Sequence, residues 1–223
     1  MAERLTKAEM RSGGTCFLCG REGADTVEHV VPRCLYPGDM IDPIKAPAHE
    51  ACNKTTTKAE ESFRNLVAIG NTEPGHPLFD ASVRSLTRER AAGMRADFIS
   101  RMKPVTGGGI IGIPPGHATW VLAKIVKGML HENSARILRP SQVRWAVRNV
   151  DNVFDTLDLP PPHYQRNVPT VLQAVWYEFP QMPVHAYVRL YRRTIFSVTA
   201  LRATDHFKCR DWEAMMLAWP PPR

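Results

Sequence analysis

The sequence lacks a long hydrophobic run, and no segment reaches the roughly eighteen apolar residues that a membrane-spanning helix needs. Its first ten residues, MAERLTKAEM, also lack the apolar centre of a secretory signal. Cysteines are few and odd in number, five in all, which argues against a disulfide-linked secreted scaffold. These absences predict a protein of the reducing cytoplasm that has no membrane partner.

Internal repeats and phosphate-binding glycine patterns are also missing. The triplet Gly107-Gly108-Gly109 is followed by no Gly-Lys and belongs to no GxGxxG pattern, so it does not predict a nucleotide site. With 223 residues and 43% hydrophobic content, the chain is long enough for one large domain, or for a small module and a larger one.

Four of the residues that can bind metal lie in two close pairs. Cys16 and Cys19 form a CxxC pair, and His49 and Cys52 form an HxxC pair about thirty residues later. Three thiolates and one imidazole complete a tetrahedral zinc site of the Cys₃His kind. The spacing therefore predicts a structural zinc that closes a loop. The remaining cysteines, Cys34 and Cys209, match no such pattern.

Between the two pairs lies an acidic residue beside a histidine. The β-branched segment 26–31 contains Glu28 and His29 and predicts a strand that ends at Pro32. A second strand is predicted at 44–48, followed by a helix at about 50–69 that Gly70 and Asn71 end. The predicted order is strand, loop, strand, helix.

Taken as an ordered set, these pieces resemble the HNH endonucleases, a family with a ββα-metal fold. The zinc-containing version of its motif reads CxxC, then an acidic residue with His and a Pro, then CxxC followed by Asn. The matching positions here are Cys16, Cys19, residues 28–32 (EHVVP), His49, Cys52 and Asn53. The match covers about the first seventy residues. Many relatives carry an asparagine about nine residues before that last Asn, where this chain has Ile44, and Asp42 is the nearest polar residue.

The resemblance implies a catalytic role for each of three residues. His29 stands where the family has its general base, and a neutral imidazole suits that task near pH 7. Glu28 and Asn53 are then the implied ligands of one catalytic Mg²⁺ or Mn²⁺, ions that prefer oxygen donors. Asp42 and Arg33 are weaker candidates for supporting the site.

Two of these assignments have rivals. His49 lies four residues before Asn53, so both side chains could reach the catalytic ion from one helix face. We favour zinc for His49, because the three cysteines would otherwise lack a fourth protein ligand. Asn53 could also be an ordinary residue at the start of a helix that hydrogen-bonds locally.

Basic residues are concentrated after the motif. Residues 1–70 carry nine Lys and Arg against ten Asp and Glu, whereas residues 71–150 carry twelve against five. A basic surface attracts phosphate backbones, although an arginine-rich helix face can also be simply solvated. We predict a nuclease module at 1–72 and a second region at 73–223 that is basic in 73–150 and binds the substrate or a partner. The expected nucleic-acid contacts are Arg84, Arg88, Arg95 and Arg101.

The second region is expected to be mainly helical with a small C-terminal β element. Apolar spacing predicts one long helix at 77–102, a Gly/Pro-rich connector to 115 and a helix at 117–130. Ser141, which follows Pro140, is a suitable N-cap and predicts a helix at 141–148. The β-rich segment 184–202 predicts one or two strands. The overall fold class is therefore α+β.

The function expected from the resemblance is metal-dependent hydrolysis of phosphodiester bonds in DNA, and RNA stays open as a substrate. Two alternatives belong to other classes. One is a zinc-stabilised nucleic-acid-binding module without cleavage, and the other is an assembly component, phage or defence related, that works with a protein partner. A homodimer is also open.

Overall fold

The computed structural model describes residues 14–36, 44–72, 74–105, 108–111, 115–139, 143–149, 161–168, 171–177, 184–191 and 194–202. Residues 3–11, for which the sequence predicts a short helix, and the candidate residue Asp42 lie outside these ranges. Within them, no helix combines the length and the apolar character needed to cross a membrane.

The first elements are two short strands and a long helix. Strand β1, Thr26–His29, pairs antiparallel with β2, Lys45–Ala48, and Glu28 lies opposite Ala46. A 3₁₀ turn follows β1 at Arg33–Leu35, and helix α1 spans Glu50–Asn71. The order strand, strand, helix is the predicted one, and the observed bounds differ from the predicted bounds by at most two residues.

Helix α1 is amphipathic. Ala59, Phe63 and Val67, four residues apart in turn, are buried on its core face. The residue after the helix, Thr72, is its C-cap and has an extended backbone that stops the helical pattern. Its N–H and its hydroxyl both donate hydrogen bonds to the Ala68 carbonyl. The buried face fixes the rotation of the helix about its axis, and therefore which side its first turn presents to β1.

The single helix predicted at 77–102 is wrong. The chain instead forms helix α2, Pro77–Thr87, and helix α3, Ala92–Ser100, joined by a 3₁₀ turn at Glu89–Ala91. The break is at Arg88, whose φ of −63° and ψ of 142° are extended rather than helical. Three further apolar residues continued at helical spacing after this break, so periodicity alone did not reveal it.

The connector predicted from Met102 to Pro115 is only partly irregular. Strand β3, Met102–Val105, and strand β4, Gly108–Ile111, pair antiparallel in a two-stranded sheet. The prediction of an irregular connector is therefore wrong for these two segments, and Gly108 and Gly109 of the glycine triplet lie within β4.

Helix α4, Pro115–Ser134, lies at the centre of the fold. All residues from Ala118 to Leu130 are buried, because the helix contacts α1 and β2 on one side and the C-terminal sheet on another. A helix that is covered on most sides is expected to be apolar all round. Two lysines, Lys124 and Lys127, interrupt this apolar segment and are buried with it.

The C-terminal sheet has five antiparallel strands in the order β5-β9-β8-β7-β6. The strands are β5 Val143–Asn149, β6 Tyr164–Val168, β7 Leu172–Tyr177, β8 Val184–Leu190 and β9 Thr194–Arg202. Residues Val184, Ala186, Val188 and Leu190 alternate into the core along β8. These five strands are more extensive than the small β element expected from the sequence.

The helix predicted at 141–148 is also wrong, because residues 143–149 form strand β5. Val143, Trp145 and Val147 are buried at a period of two, which is the alternation of a half-buried strand. The Pro-Ser pair suggested a helix start, but β-branched and aromatic residues at alternating positions favour a strand.

Candidate metal centre and active site

The four predicted zinc ligands lie together. The side-chain donor atoms of Cys16, Cys19, His49 and Cys52 are all within 4.8 Å of one another. Cys16 and Cys19 come from a tight turn, whereas His49 is the N-cap of α1 and Cys52 lies in the first turn of that helix. The donor set of three sulfurs and one nitrogen suits a structural zinc ion.

The imidazole of His49 has the orientation of a metal ligand. Its Nε2 lies 3.0 Å from the Glu22 carbonyl oxygen, which can only accept a hydrogen bond. Nε2 therefore carries the proton, and Nδ1 presents a lone pair to the cluster, 3.4 Å from Cys19 Sγ and 3.8 Å from Cys52 Sγ. A carbonyl that fixes the tautomer of a ligand histidine is a common feature of metal sites.

The thiols of the cluster affect one another electrostatically. Burial, together with the negative charges of Cys16 and Cys19, raises the pKa of Cys52 to about 12. For Cys19, burial also acts to raise the pKa, but hydrogen bonds from the Arg21 backbone and from neighbouring side chains outweigh it and lower the pKa. Three thiolates this close together need a cation, which a zinc ion would supply.

The turn that carries Cys16 and Cys19 depends on Gly20. This residue has a φ of +74°, a conformation that favours glycine, and a Cβ there would lie 2.8 Å from Arg139 Cγ. The turn is tied to β2 by a hydrogen bond of 3.0 Å from Phe17 N–H to the Pro47 carbonyl. On its other side, the Lys127 ammonium donates to the Leu18 carbonyl. Helix α4 therefore supports the Cys₃His cluster directly.

The second group of candidate residues surrounds Glu28. Only 7% of this residue is exposed, and the Asn53 side chain is near enough to its carboxylate to act on its pKa, in the direction that lowers it. The two residues that the resemblance implies as ligands of a divalent ion are therefore adjacent. Burial raises the pKa of Glu28, although the Lys124 charge acts in the opposite direction.

Lys124 contacts the same carboxylate. Its ammonium, which is fully buried, donates to Glu28 Oε1 and also to Glu60 Oε1, the latter at 2.5 Å. Glu60 Oε1 accepts a further hydrogen bond of 2.8 Å from the Thr56 hydroxyl. Asn53, Thr56 and Glu60 follow one another at three and four residues along α1, so they share a helix face. This face and β1 enclose the Lys124 ammonium.

His29 follows directly after this cluster at the end of β1, where it is paired with Lys45 of β2. Its ring is partly exposed. Burial lowers the pKa of His29, and the nearby charges of Lys45, Lys124 and Arg33 lower it further. The imidazole is therefore neutral near pH 7, which is the form that can accept a proton.

Ile44 occupies the position where many HNH endonucleases have asparagine, and it has a structural role. Its side chain is 4% exposed in the core, and its carbonyl accepts a hydrogen bond of 3.0 Å from Val30 N–H. Among the supporting candidates, Arg33 is exposed at the start of the 3₁₀ turn, while Asp42 is outside the described residues.

The four predicted nucleic-acid contacts fall into two groups. Arg84 and Arg88 are exposed on and directly after α2. Arg95 instead donates to the Leu86 carbonyl at 3.1 Å, and Arg101 pairs with Asp97 at 2.9 Å. The first two are therefore better placed to contact a phosphate than the second two.

Sequence reasoning missed Lys124 as a site residue. It lies 96 residues after Glu28, so no local spacing relates the two. A signal was nevertheless present, because lysines at 124 and 127 within the apolar segment VLAKIVKGML are unusual for a buried helix. A lysine that is buried needs a partner of opposite charge or a hydrogen-bond acceptor.

Comparison of the chain with protein-family models, curated proteins and solved structures gives no match. A function therefore has to be inferred from the residues and their geometry.

Proposed function

We propose that this protein is a metal-dependent endonuclease of the HNH type that hydrolyses phosphodiester bonds in DNA. The observation that carries the proposal is the grouping of Glu28, Asn53 and His29 at the junction of β1 and α1, beside the Cys₃His cluster. Ordinary packing does not require a buried carboxylate beside an amide, with a partly exposed neutral histidine as the next residue of the strand.

The donors at this point suit Mg²⁺ or Mn²⁺. Glu28 offers a carboxylate and Asn53 an amide oxygen, both hard ligands of the kind these ions take together with water and phosphate oxygens. The Glu60 carboxylate, which shares the Lys124 ammonium with Glu28, adds negative charge nearby. When bound, the ion would stabilise the charge that develops on the scissile phosphate and on the leaving oxygen.

His29 has the role of general base. A neutral imidazole at the rim of the site takes a proton from the attacking water. Burial, together with the charges of Lys45, Lys124 and Arg33, lowers the pKa of His29 and keeps its imidazole neutral beforehand. Glu28 and Asn53 would hold the catalytic ion. A zinc ion at the Cys₃His cluster would hold the first turn of α1, which carries Asn53, against the Cys16–Cys19 turn. DNA would be bound in part by exposed arginines such as Arg84 and Arg88.

A direct assay tests the enzyme. Purified, zinc-loaded protein is incubated with supercoiled plasmid DNA and with a structured RNA, each with Mg²⁺, with Mn²⁺ and with EDTA. We expect DNA cleavage with either ion and none with EDTA. Cleavage of the RNA alone would change the substrate class, and cleavage of neither nucleic acid would refute the nuclease.

Two observations favour a second function, a zinc-stabilised nucleic-acid-binding or assembly protein without cleavage of its own. The Lys124 ammonium already contacts Glu28, and Ile44 replaces the middle asparagine of the motif. Nucleic-acid binding that is salt-dependent, with no cleavage under any metal condition, would support this second function. Cleavage that appears only with an added protein would indicate an assembly component.

A further inference from the structure

Lys124 is brought to the candidate site from outside the motif. It lies in the middle of α4, its side chain is fully buried, and its ammonium contacts one oxygen of Glu28 and one of Glu60. A lysine is rarely buried to this degree unless it is paired. The two carboxylates are therefore held on a common nitrogen atom.

These contacts determine the charge of the site. Glu28, Glu60 and Lys124 together carry one net negative charge, and the two carboxylates without the lysine would carry two. A divalent cation at Glu28 is attracted by the carboxylates and repelled by the ammonium, and such effects are large in a partly buried site because the effective dielectric constant is low.

We propose that Lys124 is a positioning residue that holds the Glu28 and Glu60 carboxylates in place and, through its charge, limits their affinity for divalent cations. The proposal deepens the proposed function and rests on it, since it takes Glu28 as a ligand of the catalytic ion. Lys124 keeps the carboxylates ordered before the ion arrives and keeps the ion weakly held.

A purely structural role would make a different prediction. If Lys124 only anchored α4 to the rest of the fold, its replacement would destabilise the protein without changing the affinity for a divalent ion. Lys127 offers a matched control, because it is buried on the same helix three residues later and its ammonium donates to the Leu18 carbonyl.

The experiment compares wild-type protein, Lys124→Met and Lys127→Met, all zinc-loaded and in buffer freed of other divalent ions. Mn²⁺ binding is measured by electron paramagnetic resonance, and Tm is measured with and without Mn²⁺. We expect Lys124→Met to bind Mn²⁺ at least tenfold more tightly than wild type, on the order of what removing one nearby charge allows. Without Mn²⁺, the Tm of Lys124→Met should be lower than the wild-type Tm. Added Mn²⁺ should raise the Tm of Lys124→Met by more than it raises the wild-type Tm.

Lys127→Met should also lose stability but keep the wild-type Mn²⁺ affinity. Unchanged Mn²⁺ affinity in Lys124→Met, or an equal gain in Lys127→Met, would overturn the proposal. If Lys124→Met does not fold, Glu60→Gln decides, because it removes one carboxylate from a position at the edge of the core. We expect Glu60→Gln to bind Mn²⁺ about tenfold more weakly, and unchanged affinity there would count against the proposal.

The outcome can be separated from that of the nuclease assay. Mn²⁺ affinities that change as expected in a protein that cleaves no DNA would refute the nuclease and leave the role of Lys124 standing. If wild type cleaves DNA but the Lys124 and Glu60 variants have unchanged Mn²⁺ affinity, only the role proposed for Lys124 is refuted and the nuclease stands.

Discussion

Gly128 of α4 lies directly against the side chain of Val30, the residue that follows β1. A Cβ at position 128 would come closer than 3.0 Å to three carbons of Val30. The absence of a side chain at Gly128 therefore allows α4 to approach the end of β1, which is the approach that brings Lys124 to Glu28.

We predict that Gly128→Ala destabilises the protein by about 1–3 kcal/mol, the usual cost of forcing an extra carbon into a packed core. Gly70 provides the control, because it is also helical, but apart from its chain neighbours and the nearby backbone of its own helix no atom lies within 4 Å of where its Cβ would be. Gly70→Ala should stabilise by about 0.5–1 kcal/mol through helix propensity. Urea denaturation of both variants measures the difference, and a loss of stability in Gly70→Ala as large as in Gly128→Ala would contradict the packing argument.

The Cys₃His cluster should hold one zinc ion per chain. Cys16→Ser should lose the zinc and several degrees of Tm, because metal binding contributes folding energy to such a site. Cys34→Ser is the matched control, since Cys34 lies in the same part of the chain, and its thiol donates to the Glu60 carbonyl instead of facing the cluster. Elemental analysis and thermal unfolding test both variants, and zinc retained in Cys16→Ser at wild-type stability would rule out the assignment.

His29→Ala and Asn53→Ala should differ in their response to metal. His29→Ala removes the general base and should lower the cleavage rate by about 10²–10⁴-fold at every metal concentration, because added metal does not replace a positioned base. Asn53→Ala should recover part of its activity at higher Mg²⁺ or Mn²⁺, since it weakens only the hold on the ion. His163→Ala, which removes an exposed histidine, should cleave at the wild-type rate. Identical metal responses of the first two variants would reject this division of roles.

The exposed arginines should contribute more to DNA binding than the paired ones. Full-length protein should lose affinity steeply with salt, with a log–log slope near −0.9 for each phosphate contact. The double variant Arg84→Ala/Arg88→Ala should flatten that slope by roughly one to two units. Arg95→Ala/Arg101→Ala should change it less, because these side chains are engaged with the Leu86 carbonyl and with Asp97. Equal effects of the two double variants would contradict this ranking.

Stability should fall on the acidic side of neutrality, in part because of His185. Burial lowers the pKa of His185, so protonation favours the unfolded state. Above the pKa of the unfolded state, about 6.5, His185 does not lower the free energy of unfolding. As the pH falls from there toward the lower pKa of the folded state, the free energy of unfolding decreases by at most about 1.4 kcal/mol per pH unit. Urea denaturation at several pH values should show a smaller decline in His185→Gln, and an unchanged decline would assign the effect to other groups.

The sequence predicted the parts of the candidate site that depend on local spacing. Ligand spacing and the signals for strands and helices operate over a few residues. They were enough to recognise the pairs Cys16–Cys19 and His49–Cys52, the segment around His29 and the helix that begins at Glu50. Lys124 and its contact with Glu28 could not be predicted in this way. That pairing depends on how α4 packs, and packing is set by contacts across the whole chain.

The fold outside the motif was predicted less well for a related reason. Segment 141–148 has both a helix-start signal at Ser141 and alternating buried residues from Val143, and only pairing with β9 decides for the strand. Strands β6 and β7 gave no strong local signal, but they complete a sheet beside β8. Strand formation depends on partners that a local pattern does not identify.

Helix α4 also has a consequence for the order in which the fold can be completed during synthesis. The contacts of Lys124 with Glu28 and of Lys127 with Leu18 span 96 and 109 residues of chain. The N-terminal segment, although it leaves the ribosome first, cannot close its interior until α4 has followed it. We therefore expect a nascent chain that ends before Pro115 to keep the apolar surface around Val30 uncovered, and to be a target for chaperones until the later helix arrives.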